Sequence, residues 1–281
     1  MKYESYFKNY LGIIESTLEK ILPKPSQFPP LIHEAMHYAV FPGGKRFRPV
    51  LTLAACEAAG GKPEEALIPA ASLELIHCYS LVHDDLPALD NDDERRGKPT
   101  CHKRFGEAIG ILAGDGLLTL AFQILPHMGY SEQVARLLDE ISTAAGTYGM
   151  IGGQVADLTV NRDQLNLPKL DYISSHKTGK LIKASAVSGA LAAKASKETL
   201  AKILRYGECL GLAFQMVDDL LDGDGYCRLM KTTEIRQKIR DLIAHAKHEI
   251  KIFGKKAEKL QMLADFLLER VPRRGYAAVD R

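Results

Sequence analysis

The sequence lacks the usual markers of exported, disulfide-bonded, membrane-spanning or nucleic-acid-binding proteins. Its five cysteines form no CxxC pair and are odd in number, which favours reduced, partly buried thiols in a cytosolic protein over disulfides or a zinc site. The opening segment, MKYESYFKNYLGIIESTLEK, has no apolar core of the kind found in secretion signals. No stretch of about 18 residues is apolar without a charge, so no membrane span is predicted. A net charge of +2 gives no general attraction to nucleic acid or anionic membranes.

Strand-like alternation is also rare, whereas a 3.6-residue apolar period recurs along most of the chain. The hydrophobic fraction, 46%, is sufficient for a sizeable core. The predicted helices cover 3–21, 31–41, 48–59, 64–83, 104–129, 131–150, 168–195 and 197–222. A turn, GDGYC, follows Asp222 and precedes a charged, lysine-rich segment. Because no fixed-period repeat or Ser/Pro-rich linker is present, we predict one all-α domain over 1–281.

The stretch LVHDDLPALDNDDERRG, residues 81–97, places six carboxylates beside two adjacent arginines. Neighbouring carboxylates repel and resist burial, so a divalent cation among them, with an anion beyond it, would explain the arrangement. Asp84 and Asp90 would be rotated by ~240° on an ideal helix. Pro87 therefore predicts a break at 86–89 that returns Asp90 toward Asp84. Taken alone, the stretch is also typical of a solvated helix end.

A second acidic cluster, FQMVDDLLD, occupies residues 214–222. Asp218 and Asp222 share one face of a helix with Gln215, and the two leucines between the aspartates are expected to be buried. Like charges at this spacing destabilise a bare helix unless a cation offsets them. Oxygen ligands suit magnesium, and neither cluster has the spacing of an EF-hand. Two such helix ends are expected to face a shared cavity.

Cationic residues that suit phosphate occur at other places in the chain. In GGKRFRP, residues 43–49, Gly43 and Gly44 permit close backbone approach before Lys45, Arg46 and Arg48. This pattern fits a diphosphate site and equally a capped helix with surface charges. HKTGK supplies Lys177 and Thr178 but lacks the glycine and hydroxyl pattern of a Walker loop.

His77 lies seven residues before Asp84, on the same helix face and ~10 Å away along the axis. It fits either an anion-binding residue or an ordinary core histidine.

Six stretches match, in order and spacing, the short-chain trans-prenyl diphosphate synthases, and most closely resemble the bacterial-type farnesyl diphosphate synthases. These stretches, spread over roughly residues 40 to 222, are GGKRFRP, IHCYSLVHDDLPALDNDDERRGKPTCH, LAGDGLLTLAF, GGQVADL, HKTGKLI and FQMVDDLLD. The resemblance implies a single-domain helix bundle of the isoprenoid synthase type around a deep central cavity, and a homodimer. It implies a cytoplasmic prenyltransferase that condenses isopentenyl diphosphate head-to-tail with dimethylallyl or geranyl diphosphate, through magnesium-assisted ionisation, to give farnesyl diphosphate.

The resemblance also implies residue roles. Three Mg²⁺ ions would be held by Asp84 and Asp90 and by Asp218, with Asp85, Asp219 and Asp222 as further metal residues. The isopentenyl diphosphate site would contain Lys45, Arg48, His77 and Arg96. The allylic diphosphate would contact Arg95, Lys177 and Gln215. The catalytic residues that stabilise the allylic cation would be Lys177, Thr178 and Gln215.

Product length is expected to depend on Tyr79, which lies five residues and ~7.5 Å before Asp84. In members that this sequence resembles, an aromatic residue there stops the product at fifteen carbons, and smaller residues allow twenty. A plain core tyrosine is the alternative.

After Asp222 the chain departs from the family, because part of the loop that normally follows is absent and only Lys231 resembles its later lysine. A non-catalytic subunit that binds prenyl diphosphates therefore stays open. Geranyl or geranylgeranyl diphosphate synthase activity is the alternative within the enzyme class. A terpene cyclase or a head-to-head condensing enzyme is disfavoured by the intact DDLLD.

Overall fold

The computed structural model describes residues 3–41, 44–129 and 131–272, with the backbone alone at Arg162. Within these residues the structure is almost entirely helical, so the all-α prediction is confirmed. The described strands form one short antiparallel pair, β1 (Glu94–Arg95) and β2 (Lys98–Pro99).

The chain groups into two compact units. The first contains Met1–Val50 and Leu67–Leu138, and the second contains Leu51–Ala66 and Asp139–Arg281. The prediction of one domain over 1–281 stays a prediction. The first eight helices are α1 (Tyr3–Tyr6), α2 (Lys8–Ile21), α3 (Pro30–Val40), α4 (Phe47–Ala58), α5 (Leu67–Asp84), α6 (Cys101–Phe105), α7 (Glu107–Gln123) and α8 (Glu132–Ala145). The remaining helices are α9 (Met150–Thr159), α10 (Leu167–Ser174), α11 (Lys180–Ala192), α12 (Lys197–Asp222), α13 (Thr232–Ile250) and α14 (Glu258–Arg270).

Helix α5 is the central element of the first unit. It is apolar on most faces, as expected for a buried helix, and packs against α2, α3 and α7. Close packing on α7 depends on Gly114, because a Cβ built there would lie 2.1 Å from Nε2 of His83. The tight contact holds the C-terminal end of α5, and with it the first acidic cluster, in a fixed position.

Helix α12 is the longest helix and packs against α11 and α13 in the second unit. Ser196 caps its start, where the side-chain oxygen accepts a hydrogen bond from the N–H of Thr199. Gly223 ends it at φ +71°, a left-handed conformation that glycine adopts without strain. The cap places the second acidic cluster in the last turn.

Several predicted helices are interrupted or end early, which corrects the predicted boundaries. The predicted helix 3–21 is broken at Phe7, between α1 and α2, and the predicted helix 131–150 ends at Ala145. The predicted helix 104–129 is broken at Gly106, whose φ of +87° cannot continue a helix. The predicted helix 168–195 contains a wider π-helical turn at Ser175–Gly179 between α10 and α11. Such turns insert one extra residue and are frequent at functional sites.

Two helical segments, Pro63–Asp84 and Glu107–Met128, are long and apolar enough to cross a membrane. Core helices of soluble proteins pass the same test, and 67% and 44% of the most apolar windows are buried within the protein. The absence of a membrane span therefore stays a prediction.

Candidate active site

The helix that carries the first acidic cluster ends at Asp84, and the chain then turns back on itself. The backbone N–H of Asp90 donates a hydrogen bond of 2.8 Å to the carbonyl oxygen of Asp84. Pro87 lies inside this turn, where its ring and missing N–H prevent the helix from continuing. The predicted break at 86–89 is therefore confirmed. The turn brings the backbone of Asp90 to Asp84 and leaves the Asp90 side chain exposed.

Asp85 differs from its neighbours because its side chain is buried against Arg95. Nε of Arg95 donates a hydrogen bond of 2.7 Å to Oδ1 of Asp85, and the guanidinium also contacts Asp92 at 3.2 Å. Burial raises the pKa of Asp85 even though Arg95 opposes the shift. In this structure Asp85 therefore anchors an arginine, and Arg95, predicted to bind the allylic diphosphate, is held by two carboxylates.

Gly44 lies directly against the guanidinium of Arg96. A Cβ built on Gly44 would be 2.8 Å from Nη2 and 2.9 Å from Cζ of Arg96, so only glycine permits this approach. The structure thus brings the glycine-rich segment to one of the predicted diphosphate-binding arginines. Gly43, also predicted to allow close approach, lies outside the described residues.

The remaining residues of the predicted isopentenyl diphosphate site lie in the same unit. His77 is half-buried on α5, and burial, together with the charges of Arg48 and Arg96, lowers its pKa well below the usual 6.5. His77 is therefore a neutral hydrogen-bonding group near two permanent cations. Lys45 is exposed. A neutral imidazole can donate one hydrogen bond to an anionic ligand, and the neighbouring arginines supply the positive charge.

Arg46, grouped with Lys45 and Arg48 in the sequence motif, has a structural position instead. It is 2% exposed, and its guanidinium donates to Glu15 at 2.7 Å, to Glu74 at 2.8 Å and to the carbonyl oxygen of Val40 at 2.8 Å. Removing one member of such a buried network leaves an uncompensated charge. Arg46 fixes the segment before α4 and is not available to a diphosphate.

Tyr79 is buried on α5, one turn before the acidic end. Its ring packs edge-on against His83 with centroids 5.7 Å apart, and its hydroxyl has no hydrogen-bond partner within the described part of the chain. Burial, with a smaller effect of Asp84, raises its pKa to about 12. A buried ring fits a core tyrosine, and the predicted pocket floor stays a prediction.

A cavity of about 70 Å³ in the first unit is lined on its polar side by Asp85, Arg95, Arg96 and Lys98. Its remaining wall is largely apolar. The space suffices for a few water molecules but not for a prenyl chain.

The acidic end of α12 carries three aspartates in three environments. Asp218 accepts a hydrogen bond of 2.8 Å from Nη2 of Arg270, whose guanidinium also lies 5.4 Å from the ring centre of Phe214. Asp222 is exposed. Asp219 is buried, and burial raises its pKa. Asp218 and Asp222 are thus accessible from one side of the helix, and Asp219 belongs to the interior.

The two leucines between these aspartates were both predicted to be buried. Leu220 is, but Leu221 is 37% exposed, so that prediction is wrong for Leu221. At the end of α12 the protein interior therefore covers Leu220 and leaves Leu221 partly exposed to solvent.

The π-helical turn is positioned by glycines on the two helices that pack against it. A Cβ on Gly153 of α9 would lie 2.2 Å from the backbone nitrogen of Lys177. A Cβ on Gly211 of α12 would lie 2.8 Å from Cα of Gly179. Backbone therefore contacts backbone on both sides, which fixes the turn relative to α9 and α12.

The three predicted catalytic residues meet at this turn. Nζ of Lys177 contacts Oδ2 of Asp157 at 2.8 Å, and Oγ1 of Thr178 donates a hydrogen bond of 2.6 Å to Oε1 of Gln215. Nε2 of Gln215 in turn donates to Oδ1 of Asp219 over 2.7 Å. The structure thus brings Thr178 and Gln215 into direct contact and places Lys177 beside them in the chain.

Sequence reasoning missed three partners of these residues. They are Asp157, which binds Lys177; Arg270, which binds Asp218; and Tyr226, whose N–H binds Asp219. Only Asp157 had a signal, because it lies four residues after Gly153 and so on the face of α9 that meets the turn.

The carboxylates of the two clusters differ in how well they suit a divalent metal. Among the described residues, no group of three or more His, Cys, Asp or Glu side chains is arranged as a closed metal site. Magnesium commonly takes only one or two carboxylates and completes its shell with water and substrate phosphates. Asp84, Asp90 and Asp222 fit that pattern by chemistry and accessibility, and Asp218 would fit it after leaving Arg270, whereas Asp85 and Asp219 are engaged inside the protein.

The sequence model of the polyprenyl synthetase family matches residues 29–241. A dimethylallyltranstransferase of Fischerella ambigua is 42% identical over 280 residues, covering 92% of this chain and 80% of that protein. A geranylgeranyl diphosphate synthase of Cyanophora paradoxa is 40% identical over 289 residues, covering 95% of this chain and 96% of that protein.

Two solved structures are similar over nearly their whole length. An FPP/GFPP synthase from Zymomonas mobilis has a TM-score of 0.89 and 34% identity, with 95% of this chain and 98% of that chain covered. A geranyltransferase from Legionella pneumophila has a TM-score of 0.89 and 38% identity, with 95% of this chain and 97% of that chain covered. The predicted isoprenoid synthase-type helical fold is therefore confirmed.

Proposed function

Because this chain belongs to the polyprenyl synthetase family, we propose that it is a prenyltransferase that condenses isopentenyl diphosphate with an allylic diphosphate to give farnesyl diphosphate. The observation that supports this most strongly is the pairing of oxygen-rich helix ends with permanent cations. The backbone of Asp90 returns to that of Asp84 at the end of α5, and Asp222 is exposed beside the Arg270-bound Asp218 at the end of α12. Each unit thus offers groups that suit a diphosphate and its counterions.

We propose Mg²⁺ as the cofactor, held by the accessible aspartates together with substrate oxygens. Three ions per site, as the resemblance implies, remain part of this proposal. When bound, magnesium would share the negative charge of the departing diphosphate and so improve it as a leaving group.

The protein's own residues would then orient the substrates and stabilise charge. Lys45, Arg48 and Arg96, with neutral His77, would hold the diphosphate of isopentenyl diphosphate. Lys177 would bind the allylic diphosphate by leaving Asp157, and Arg95 is proposed for the same role by leaving its carboxylate partners.

The reaction breaks the C1–O bond of the allylic diphosphate, and the electron pair leaves with the diphosphate. The oxygens of Thr178 and Gln215 would stabilise the allylic cation that remains. The alkene of isopentenyl diphosphate attacks this cation, forming the new C–C bond. A proton is then lost to the departed diphosphate, which is the basic group expected closest to the new cation. The apolar helices would exclude water, which would otherwise capture the cation.

We propose a fifteen-carbon product on the basis of Tyr79, whose buried ring on α5 would floor the pocket. The relatives carry names of farnesyl-type and geranylgeranyl-type synthases, so a twenty-carbon product is the main alternative.

The short segment after Asp222 supports a second candidate, a non-catalytic subunit that binds prenyl diphosphates. In this structure the chain passes from α12 through one 3₁₀ turn, Gly225–Arg228, directly into α13. Lys231 precedes α13, where its backbone N–H donates to Glu234 at 3.0 Å, so it has a helix-capping position.

A homodimer is proposed because α7 is largely apolar and exposes Ile111 at 45% and Leu112 at 53%. A cytoplasmic location is proposed because all five cysteines are free thiols. The absence of nucleic-acid binding stays a prediction.

The decisive experiment incubates the protein with Mg²⁺, labelled isopentenyl diphosphate and geranyl diphosphate, and identifies the alcohol after phosphatase treatment. Farnesol supports the proposal, and geranylgeraniol supports the alternative length. No elongation of geranyl diphosphate, or of dimethylallyl diphosphate in a parallel incubation, would refute the catalytic function. Asp84→Ala and Asp218→Ala should lower turnover by orders of magnitude. Asp93→Ala is the matched control, because this exposed aspartate in the same acidic stretch forms its ion pair with the surface residue Lys103.

A further inference from the structure

Asp219 was predicted as a metal residue, but both of its carboxylate oxygens are used inside the protein. Oδ1 accepts a hydrogen bond of 2.7 Å from Nε2 of Gln215. Oδ2 accepts one of 2.9 Å from the backbone N–H of Tyr226. The residue is 7% exposed, in contrast to exposed Asp222 three positions later.

The turn after α12 closes over this carboxylate. Gly225 has φ +52°, and a Cβ built on it would lie 1.9 Å from Oδ2 of Asp219. The next residue, Tyr226, is completely buried and its hydroxyl donates to Oδ1 of Asp171. Asp219 cannot turn toward solvent without dismantling this turn.

The carboxylate determines how the Gln215 amide is oriented. An ionised carboxylate only accepts hydrogen bonds, so the NH₂ group of Gln215 must face Asp219. The amide oxygen then faces the opposite way and accepts the O–H of Thr178 at 2.6 Å. The hydroxyl proton of Thr178 is thereby directed at Gln215, and the lone pairs of Oγ1 are left for another group.

We propose that Asp219 is a positioning residue that orients Gln215 and, through it, Thr178, and that it does not bind metal. This inference rests on the proposed function, in which the oxygens of Thr178 and Gln215 stabilise the allylic cation. An inverted amide would place an N–H donor beside Thr178 and remove electron-rich oxygen from the cation.

The first test is Asp219→Asn, which keeps the shape but replaces one acceptor oxygen by an NH₂ donor. Two donors, from Gln215 and Tyr226, then face one acceptor, so one hydrogen bond must be lost or the amide must invert. We expect kcat to fall by about 10- to 100-fold, as for other residues that orient a reacting group, with the KM of both substrates within about twofold. A normal kcat would overturn the inference.

The matched control is Asp241→Asn on α13. Nε2 of Gln237 donates to Oδ1 of Asp241 over 2.8 Å, which is the same four-residue Gln–Asp contact on an exposed surface. This variant should leave kcat and KM unchanged. An equal loss in both variants would show that helix perturbation, not orientation of Gln215, lowers the rate.

A swapped pair gives the sharpest test. In Asp219→Asn combined with Gln215→Glu, the new amide at position 219 would accept from Tyr226 and donate to the new carboxylate at position 215, which would also accept from Thr178. Every donor again has an acceptor and the net charge is restored, so we expect kcat at saturating substrate to recover at least tenfold over Asp219→Asn alone, while the KM for the allylic diphosphate rises because the carboxylate at position 215 repels it. The double variant also remains informative should the single variant fail to fold. Failure to recover any rate would overturn the inference.

Two measurements do not depend on turnover. Mn²⁺ titration with inorganic diphosphate, followed by electron paramagnetic resonance, should show wild-type affinity for Asp219→Asn and weakened affinity for Asp218→Asn. Equal weakening would identify Asp219 as a ligand and overturn the inference. The side-chain NH₂ protons of Gln215 should exchange slowly in the wild type and faster in Asp219→Asn. A chain that shows these effects without prenyl transfer would refute the proposed function and retain the hydrogen-bond role of Asp219.

Discussion

Gly44→Ala tests the role of the contact between Gly44 and Arg96. The added methyl group would lie 2.8 Å from Nη2 and 2.9 Å from Cζ of Arg96, well inside the roughly 3.5–4.0 Å of an ordinary nonbonded contact. The guanidinium is the end of a flexible side chain, so it should move while the backbone keeps its place. We therefore expect little change in the free energy of unfolding but a displaced Arg96.

The size of the kinetic effect follows from what Arg96 would contact. Under the proposed function its guanidinium binds the diphosphate of isopentenyl diphosphate. A hydrogen bond to a charged group is worth about 1.5–3 kcal/mol, so losing one should raise the KM for isopentenyl diphosphate by roughly 10- to 150-fold. The KM for the allylic diphosphate should stay within about twofold.

Steady-state kinetics with each substrate varied in turn would measure both constants. Gly12→Ala is the control, because a Cβ on this exposed residue of α2 has no other atom within 4 Å. Thermal unfolding of both variants would show that the fold is intact.

The refuting results are specific. An unchanged KM for isopentenyl diphosphate in Gly44→Ala would show that the contact with Arg96 has no part in binding. The same conclusion would follow if Gly44→Ala raised the KM further in an Arg96→Ala background, since the effect would then not act through Arg96.

Two further predictions concern α5. Tyr79→Ala should extend the product beyond fifteen carbons, whereas Tyr79→Phe should keep the wild-type product, because the ring and not the hydroxyl would form the pocket floor. Chromatography of the dephosphorylated products measures the chain length. An unaltered product from Tyr79→Ala would contradict the role of Tyr79 as the floor. His77 has a pKa lowered by burial and by Arg48 and Arg96, so the folded state favours its neutral form and loses stability as the pH falls below about 6.5. Chemical denaturation at pH 7, 6 and 5 should therefore show that the free energy of unfolding decreases less with falling pH in His77→Gln than in the wild type. The gap between the two proteins should grow by at most about 1.4 kcal/mol per pH unit. Equal pH dependence of the two unfolding free energies would contradict the lowered pKa.

Patterns that act locally could be predicted from the sequence. The apolar period predicted most of the helices. Pro87 predicted the break that returns Asp90 to Asp84, because proline acts through its own ring and its missing N–H. The four-residue spacing of Asp218 and Asp222 predicted that they share one side of the helix, because helical geometry is also a local property of the chain.

Features that depend on contacts between distant segments could not be predicted. The burial of Arg46 depends on Glu15 and Glu74, and the engagement of Asp219 depends on a turn that begins after the helix has ended. Adjacent identical residues, such as Asp218 and Asp219, look equivalent in a motif. A rotation of about 100° between them places one toward solvent and the other toward the core.

The close contacts of Gly153 and Gly211 have a consequence for engineering the chain. Any side chain at either position would act as a wedge against the π-helical turn, because the opposing atoms are backbone and cannot rotate away. Such a variant would retain every chemically active group yet misalign the Thr178 hydroxyl with the Gln215 amide. Libraries that seek new product lengths should therefore hold these two glycines constant and vary the pocket wall instead.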